Sequence, residues 1–239
     1  MAMKGKMEIS PELEKNMALI QEMYKDCADV VKRQMRIGAN HYPVYVVYMD
    51  TMINRELVES DIFKSLVYSL GSIPSRGAMD YILNYGMITA DAVRETDLEK
   101  ALKNMMSGDT LMFVQGDNGV LVINSKGYPN RGVQTAESEI TVHGPKDSFT
   151  ESVRFNTVLV RRRIKDHRLK TVQIVKGRRS QTDIAIMYVE DLVRQDVLTE
   201  LKQRMDDFEI DGIFDSGSLE QLLEKEWYSP FPQFQITER

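Results

Sequence analysis

Two carboxylates, Asp50 and Glu190, follow two predicted buried strands, Val44 to Met49 and Ile184 to Val189. The carboxyl ends of strands are where α/β sheets usually present ligand-binding groups. A pair of carboxylates could act as general acid and general base, but only if both enter one cleft. Because each lies in its own copy of a repeated segment, the favoured interpretation is that each acid braces the turn into the next helix.

A second polar candidate is the pair Asp215 and Ser216, in a loop of small residues just before a predicted helix. Their side chains could bind a ligand, although ordinary turn chemistry explains these residues at least as well. The ligand-binding candidates are therefore Asp50, Glu190, Asp215 and Ser216, and no residue is predicted to be catalytic.

The segment from Gly144 to Ser148 could hold an anion, since it leads into a predicted helix start and contains Lys146. Ser148 and Glu151 also fit a capping box, which would satisfy the same backbone N–H groups. The chain has neither the phosphate-loop motif nor the dinucleotide-binding glycine motif. Capping is therefore favoured over phosphate binding.

The densest basic cluster is Arg161, Arg162 and Arg163, at the predicted end of a helix. Cations at a helix C-terminus are stabilised by the helix dipole, which is one sufficient explanation. Contact with an anionic lipid surface or a partner subunit is the other. The sequence does not separate these two explanations.

The composition excludes several classes of function. The 239 residues carry a net charge of −5, which argues against a nucleic-acid-binding protein. The single cysteine, Cys27, excludes an intrachain disulfide and lies on the apolar face of a predicted helix, so it is expected in the core. The three histidines have no ligand spacing, and no metal or cofactor is predicted.

An internal repeat with an offset of 140 residues organises the chain. The segment from Tyr48 to Val58 aligns without a gap to the segment from Tyr188 to Leu198. In each copy a helix and two strands precede a further amphipathic helix. In the first copy, Thr110 to Val114 and Val120 to Asn124 flank a turn and predict a hairpin.

The predicted fold is α/β, with two tandem related subdomains, each a small mixed β-sheet covered by helices. The predicted boundaries are 1–130 for the first subdomain, 131–144 for a linker, and 145–239 for the second subdomain with an extended tail. The abrupt end of the chain suggests a piece of a longer protein.

Three segments carry a family resemblance: TAESEITVHGPKDSFTESVRFNTVLVRRRIK, GRRSQTDIAIMYVEDLV and DGIFDSGSLEQLLEKEWYSPFPQFQITER. They resemble the N-terminal soluble domain of the A subunit of spore-germination nutrient receptors, the GerA family. The match is dense from Arg131 to Arg239 and looser from Tyr42 to Asn130.

The resemblance implies a noncatalytic role in nutrient-triggered germination, through receptor assembly, signal coupling or gating. It implies B and C subunits as partners, a membrane domain beyond this chain, and a place at the spore inner membrane. The single cysteine and the lack of an export signal favour the spore-core side for this soluble domain. The alternative is a small-molecule binding module, with the nutrient in a cleft between the subdomains. An enzyme is the third hypothesis, and it would need Asp50, Glu190 or Asp215 to converge on one pocket.

Overall fold

The computed structural model describes residues 8–86, 91–127, 147–224 and 234–238. The chain forms two compact units, and the first contains residues 1–130 together with 160–167. The second contains residues 131–159 and 168–239. The sequence assigned 160–167 to the second subdomain, whereas the structure groups this segment with the first unit.

The described residues of the first unit form helices, short π-helical segments and five strands. In chain order these are α1 (Leu13–Met23), β1 (Val30–Ile37), β2 (Tyr42–Met49), π1 (Leu57–Phe63), π2 (Ser65–Ser69), α2 (Ala78–Tyr81), π3 (Ile82–Gly86), β3 (Ala92–Glu95), α3 (Leu98–Met105), β4 (Thr110–Val114) and β5 (Val120–Ile123). The strands form one sheet in the order β1-β2-β4-β5-β3.

The sheet of the first unit is covered on both faces. Alternate residues of β2, such as Val44 and Val46, pack with Ile62 and Leu66 of the π segments in one apolar cluster. The residues between them face the other side, because successive strand side chains alternate. On that side, α1 and α3 pack against β2 and β4. This layering explains why β2 and β4 are buried along almost their whole length.

The second unit contains fewer described elements. They are α4 (Val153–Arg163, of which the last four residues belong to the first unit), β6 (Leu169–Lys176), β7 (Thr182–Val189), α5 (Gln195–Asp207) and α6 (Ser216–Leu223). Strands β6 and β7 form a two-stranded sheet. Among the described residues, no helix is both long and apolar enough to cross a bilayer.

The predicted α/β class and the predicted hairpin of β4 and β5 are confirmed. The prediction of mixed sheets was wrong, since every strand pair in the described ranges is antiparallel. The physical reason lies in the connections. Turns of a few residues join β1 to β2 and β6 to β7, and connections this short can join only antiparallel neighbours.

The repeat is visible in the elements themselves. Helix α4 is α1 displaced by 140 residues, β7 is β2 displaced by 140, and β6 is β1 displaced by 139. One side-chain motif is also repeated. Asn16 accepts a hydrogen bond from the Ser10 amide at 2.9 Å and donates one to the Ser10 carbonyl at 2.7 Å. Asn156 makes the same two bonds with Thr150, both at 2.7 Å.

Candidate functional site

Asp50 lies at the end of β2 and engages a cation of its own unit. Its Oδ1 accepts a hydrogen bond from the guanidinium of Arg55, and this bond raises the pKa of Arg55. The backbone amide of Asp50 donates to the carbonyl of Asp29 at 3.0 Å, which extends the pairing of β1 with β2. Asp50 therefore fixes the turn after the strand, as the sequence favoured.

Glu190 occupies the equivalent position at the end of β7. Its Oε2 lies 3.2 Å from the ammonium nitrogen of Lys170, whose side chain is buried. Its backbone amide donates to the carbonyl of Arg168 at 2.9 Å. The two acids thus repeat one local arrangement, each with a cation of its own unit.

Asp215 is the N-cap of α6. Its Oδ1 accepts a hydrogen bond from the Ser218 amide at 2.6 Å, and this backbone bond lowers the pKa of the carboxyl. Ser216, the first residue of α6, lines a cavity of about 270 Å³ together with Leu219, Leu223 and residues 234–237. The lining is mainly apolar, so the cavity offers few groups that could fix a polar ligand.

The predicted anion site lies only partly within the described residues. Lys146 is outside them, while Ser148 is partly buried. The predicted capping box of Ser148 and Glu151 was wrong in position, because α4 begins at Val153. The hydrogen bonds between Asn156 and Thr150 hold the chain before the helix, so the helix starts later than the sequence motif indicates.

Arg161, one of the candidates for an anion or partner contact, is buried inside the first unit. It is 1% exposed, and its Nε and Nη2 donate to the two carboxylate oxygens of Asp29 at 2.7 and 3.0 Å. Burial by itself would lower the pKa of Arg161, but the bonds to Asp29 outweigh it and raise the pKa. This two-point geometry is the strongest form of an Arg–carboxylate pair. Arg162 and Arg163 are exposed, so for these two the partner contact stays a prediction.

The Arg161–Asp29 pair lies in a buried polar cluster that the sequence missed. Cys27 is 4% exposed, which confirms its predicted place in the core. Tyr24 is fully buried, and burial raises the pKa of its hydroxyl. Asp29 belongs to none of the motifs in the sequence, and its partner is 132 residues away. No local pattern could have found this contact.

A buried acid, Asp109, was also missed. Asp109, just before β4, is 5% exposed, and its Oδ2 lies 3.2 Å from the ammonium nitrogen of Lys126. Its Oδ1 has no hydrogen-bond partner among the described residues. Burial raises the pKa of this carboxyl, and Lys126 only partly opposes the effect.

The described residues contain no group of three or more His, Cys, Asp or Glu side chains arranged to hold a metal ion. The predicted ligand-binding acids are instead engaged in ion pairs or caps. This arrangement suits a scaffold that holds its turns rigidly.

Residues 18–239 match the family model of the Bacillus/Clostridium GerA spore germination protein. The chain belongs to the GerA spore germination family. Among its relatives, spore germination protein KA of Bacillus subtilis is 32% identical over 97% of this chain and 42% of its own length. Spore germination protein A1 of the same organism is 29% identical over 97% of this chain and 47% of its own length. The chain therefore spans less than half of these relatives.

A solved structure agrees with this membership. The N-terminal domain of the A subunit of the Bacillus megaterium spore germinant receptor GerK3 superposes with a TM-score of 0.72 at 27% identity. The match covers 99% of this chain and 87% of that one. The GerA family chain thus shares its fold with a domain of known position in a receptor subunit.

Proposed function

We propose that this chain is the N-terminal domain of the A subunit of a spore germinant receptor. It takes part in nutrient-triggered germination by receptor assembly, signal coupling or gating, and it has no catalytic role. The observation that carries the proposal is the match to the GerK3 domain, which covers nearly the whole of both chains. The engagement of Asp50, Glu190 and Asp215 in pairs and caps also favours a noncatalytic role.

The proposed partners are the B and C subunits of the receptor, and the proposed location is the spore inner membrane with this domain on the spore-core side. A membrane domain of the same subunit, beyond these 239 residues, would anchor it. Arg162 and Arg163 are the proposed contact residues because both side chains are exposed, while Arg161 is 1% exposed.

The test is the double substitution Arg162→Ala and Arg163→Ala in the full receptor, expressed from its operon in spores. Its matched control is Arg178→Ala with Arg179→Ala, which removes the same charge from another exposed pair. The levels of all three subunits and the rate of nutrient-triggered germination are measured together.

If all three subunits are lost together in the first variant but not in the control, Arg162 and Arg163 are needed for receptor assembly. Loss of germination at normal subunit levels would indicate signal coupling. The proposed role itself is contradicted if removal of the whole domain leaves subunit levels and germination unchanged.

A further inference from the structure

A cavity of about 270 Å³ lies in the second unit, between α6 and the segment 234–237. The residues of α6 that line it, Ser216, Leu219, Glu220 and Leu223, have the spacing of a single helix face. The opposite wall consists of residues 234–237. The cavity is therefore formed within one unit, from residues that the structure describes.

Both walls of the cavity are held in place by hydrogen bonds. Asp215 caps the start of α6. At the other end of the helix, Nη1 of Arg204 donates to the Leu223 carbonyl at 2.5 Å. The opposite wall is held by the Phe149 amide, which donates to the Glu238 carbonyl at 2.7 Å. A site whose walls are already fixed loses less conformational freedom when it binds a ligand.

The lining of the cavity is mainly apolar and includes one charged group. Leu223 is 7% exposed and Ile236 is 51% exposed, so the cavity extends from the interior of the unit to its surface. Glu220 is the charged residue of the lining, and among the described residues it makes no ion pair. Ser216 lies four positions before Glu220, so the two are neighbours on the helix surface. An apolar cavity with a few convergent polar groups is the usual form of a small-molecule site.

The volume of the cavity limits the size of its ligand. Drug-sized ligands occupy pockets of about 300–1,000 Å³. One water molecule takes about 30 Å³ of the liquid. The cavity, at about 270 Å³, therefore holds a molecule of fewer than about ten non-hydrogen atoms.

We propose that this cavity binds a small alkyl amine, whose apolar body contacts Leu219 and Leu223 and whose ammonium group pairs with the Glu220 carboxylate. The Ser216 hydroxyl accepts a second hydrogen bond from the same ammonium group. A ligand with a carboxylate of its own is disfavoured, because the lining residues include no cation and the carboxylate would lie beside Glu220. The site goes beyond the proposed role in germination and does not depend on it.

The test compares three ligands of similar shape on the 239-residue chain. They are 3-methylbutylamine, the neutral 3-methylbutanol, and leucine, which is the same amine with an added carboxylate. Nuclear magnetic resonance of the isotope-labelled chain measures the Kd and maps the amides whose signals shift.

We expect shifts at residues 216–223 and 234–237, with a Kd for the amine on the order of 1 mM, which a ligand of this size can reach. The alcohol should bind at least about tenfold more weakly, because it lacks the charge that pairs with Glu220. Leucine should also bind at least about tenfold more weakly, because its carboxylate is repelled.

Variants of the chain separate the charge of the site from its shape. Glu220→Gln keeps the size of the side chain, and we expect it to weaken the amine at least about tenfold and the alcohol less than about threefold. Glu209→Gln removes the same charge from an exposed residue of the same unit and should leave the affinity for both ligands unchanged.

A second pair of variants tests the cavity itself. Ser216→Phe fills the cavity from an exposed position, so both the amine and the alcohol should lose their binding. Gln221→Phe adds the same ring at an exposed residue of α6 outside the lining, and binding should persist. All four substituted residues are at least partly exposed, so each variant should keep its fold, which circular dichroism checks.

The proposal is overturned if the amine shifts no signals, or shifts signals only outside residues 216–223 and 234–237. Unchanged affinity in Glu220→Gln would also overturn it. Equal affinity for the amine and the alcohol would overturn it as well, since the cavity would then be an apolar site without a charge requirement. The germination role is measured separately in spores, so none of these results changes it.

Discussion

For Arg161, several explanations fit the sequence until its partner in the structure is known. In the sequence it stands with Arg162 and Arg163, and the helix dipole or an external anion accounts for all three equally well. In the structure only Arg161 turns inward, where its guanidinium and the Asp29 carboxylate satisfy each other. Removing one member of such a pair leaves the other charge uncompensated in a poorly solvated site.

We therefore expect Arg161→Ala to destabilise the first unit by about 3 kcal/mol, since the partly buried Asp29 carboxylate would lose the guanidinium that compensates its charge. The exposed neighbour is the control, and Arg162→Ala should change stability by less than about 0.5 kcal/mol. Native-state hydrogen exchange of the β4 amides measures the stability of the first unit separately from that of the second. Similar exchange in the two variants would show that the buried pair contributes little.

Asp109 contributes to the stability of the folded state, and the direction in which this contribution changes with pH follows from its burial. Burial holds its folded pKa above the value of about 3.9 expected in the unfolded chain. The folded state therefore keeps this proton over a window in which the unfolded state has lost it. Its contribution to stability falls as the pH rises from about 4 through the folded pKa.

Asp109→Asn cannot titrate, so the stability of the wild type relative to this variant should decline across the same pH window. Urea unfolding at a series of pH values between about 4 and 8 measures the difference. A difference that instead grows with pH would mean that the attraction of Lys126 outweighs burial.

At the scale of elements, the repeated asparagines set where α1 and α4 begin. Each binds the backbone of the residue six positions before it, and the helix starts three residues beyond that residue. The two positions differ in burial, since Asn16 is 3% exposed and Asn156 is only partly buried. The same two hydrogen bonds should therefore matter more in the first copy.

Asn16→Ala should cost about 1 to 2 kcal/mol, because it removes both hydrogen bonds that the buried Asn16 side chain makes with the partly buried backbone of Ser10. Asn156→Ala should cost less, since water can replace its bonds at a partly exposed site. Hydrogen exchange of the amides in α1 and α4 compares the two variants. An equal loss of amide protection in the two variants would contradict the expected dependence on the burial of the asparagine.

At the scale of the whole molecule, the first unit is completed by a segment that lies well beyond its main part in the chain. Residues 160–167 belong to this unit and bring Arg161 to Asp29. A boundary drawn after residue 130 would separate the two partners. The repeat in the sequence therefore does not coincide with the structural division.

A chain that ends at residue 130 should melt at a lower temperature than one that ends at residue 167, since the shorter chain lacks the Arg161 guanidinium that compensates the Asp29 carboxylate. Asp29→Asn in the shorter chain should recover part of the loss, because it removes the stranded charge. Calorimetry of the three proteins provides the comparison. If Asp29→Asn does not raise the melting temperature of the shorter chain, the lower stability of that chain is due to the missing apolar contacts of residues 160–167.

Local patterns predicted most of the elements. Alternating and continuous apolar residues found β2, β4, β5 and β7, and the 140-residue repeat matched the two copies from the order of residues alone. Cap positions were less accurate, since α4 begins at Val153, after the hydrogen bonds of Asn156 with Thr150, and not at the Ser148 capping box that the sequence suggested. Such competition between nearby polar groups depends on geometry that spacing alone does not contain.

The sequence by itself determined the α/β class, the duplication and the family, because these depend on periodicity and on long collinear motifs. Only the tertiary structure decided the pairing of β2 with β4 and the burial of Arg161 against Asp29. The physical reason is common to both. Each depends on which residues meet across long separations in the chain, and the same residue types support different contacts until the fold selects one.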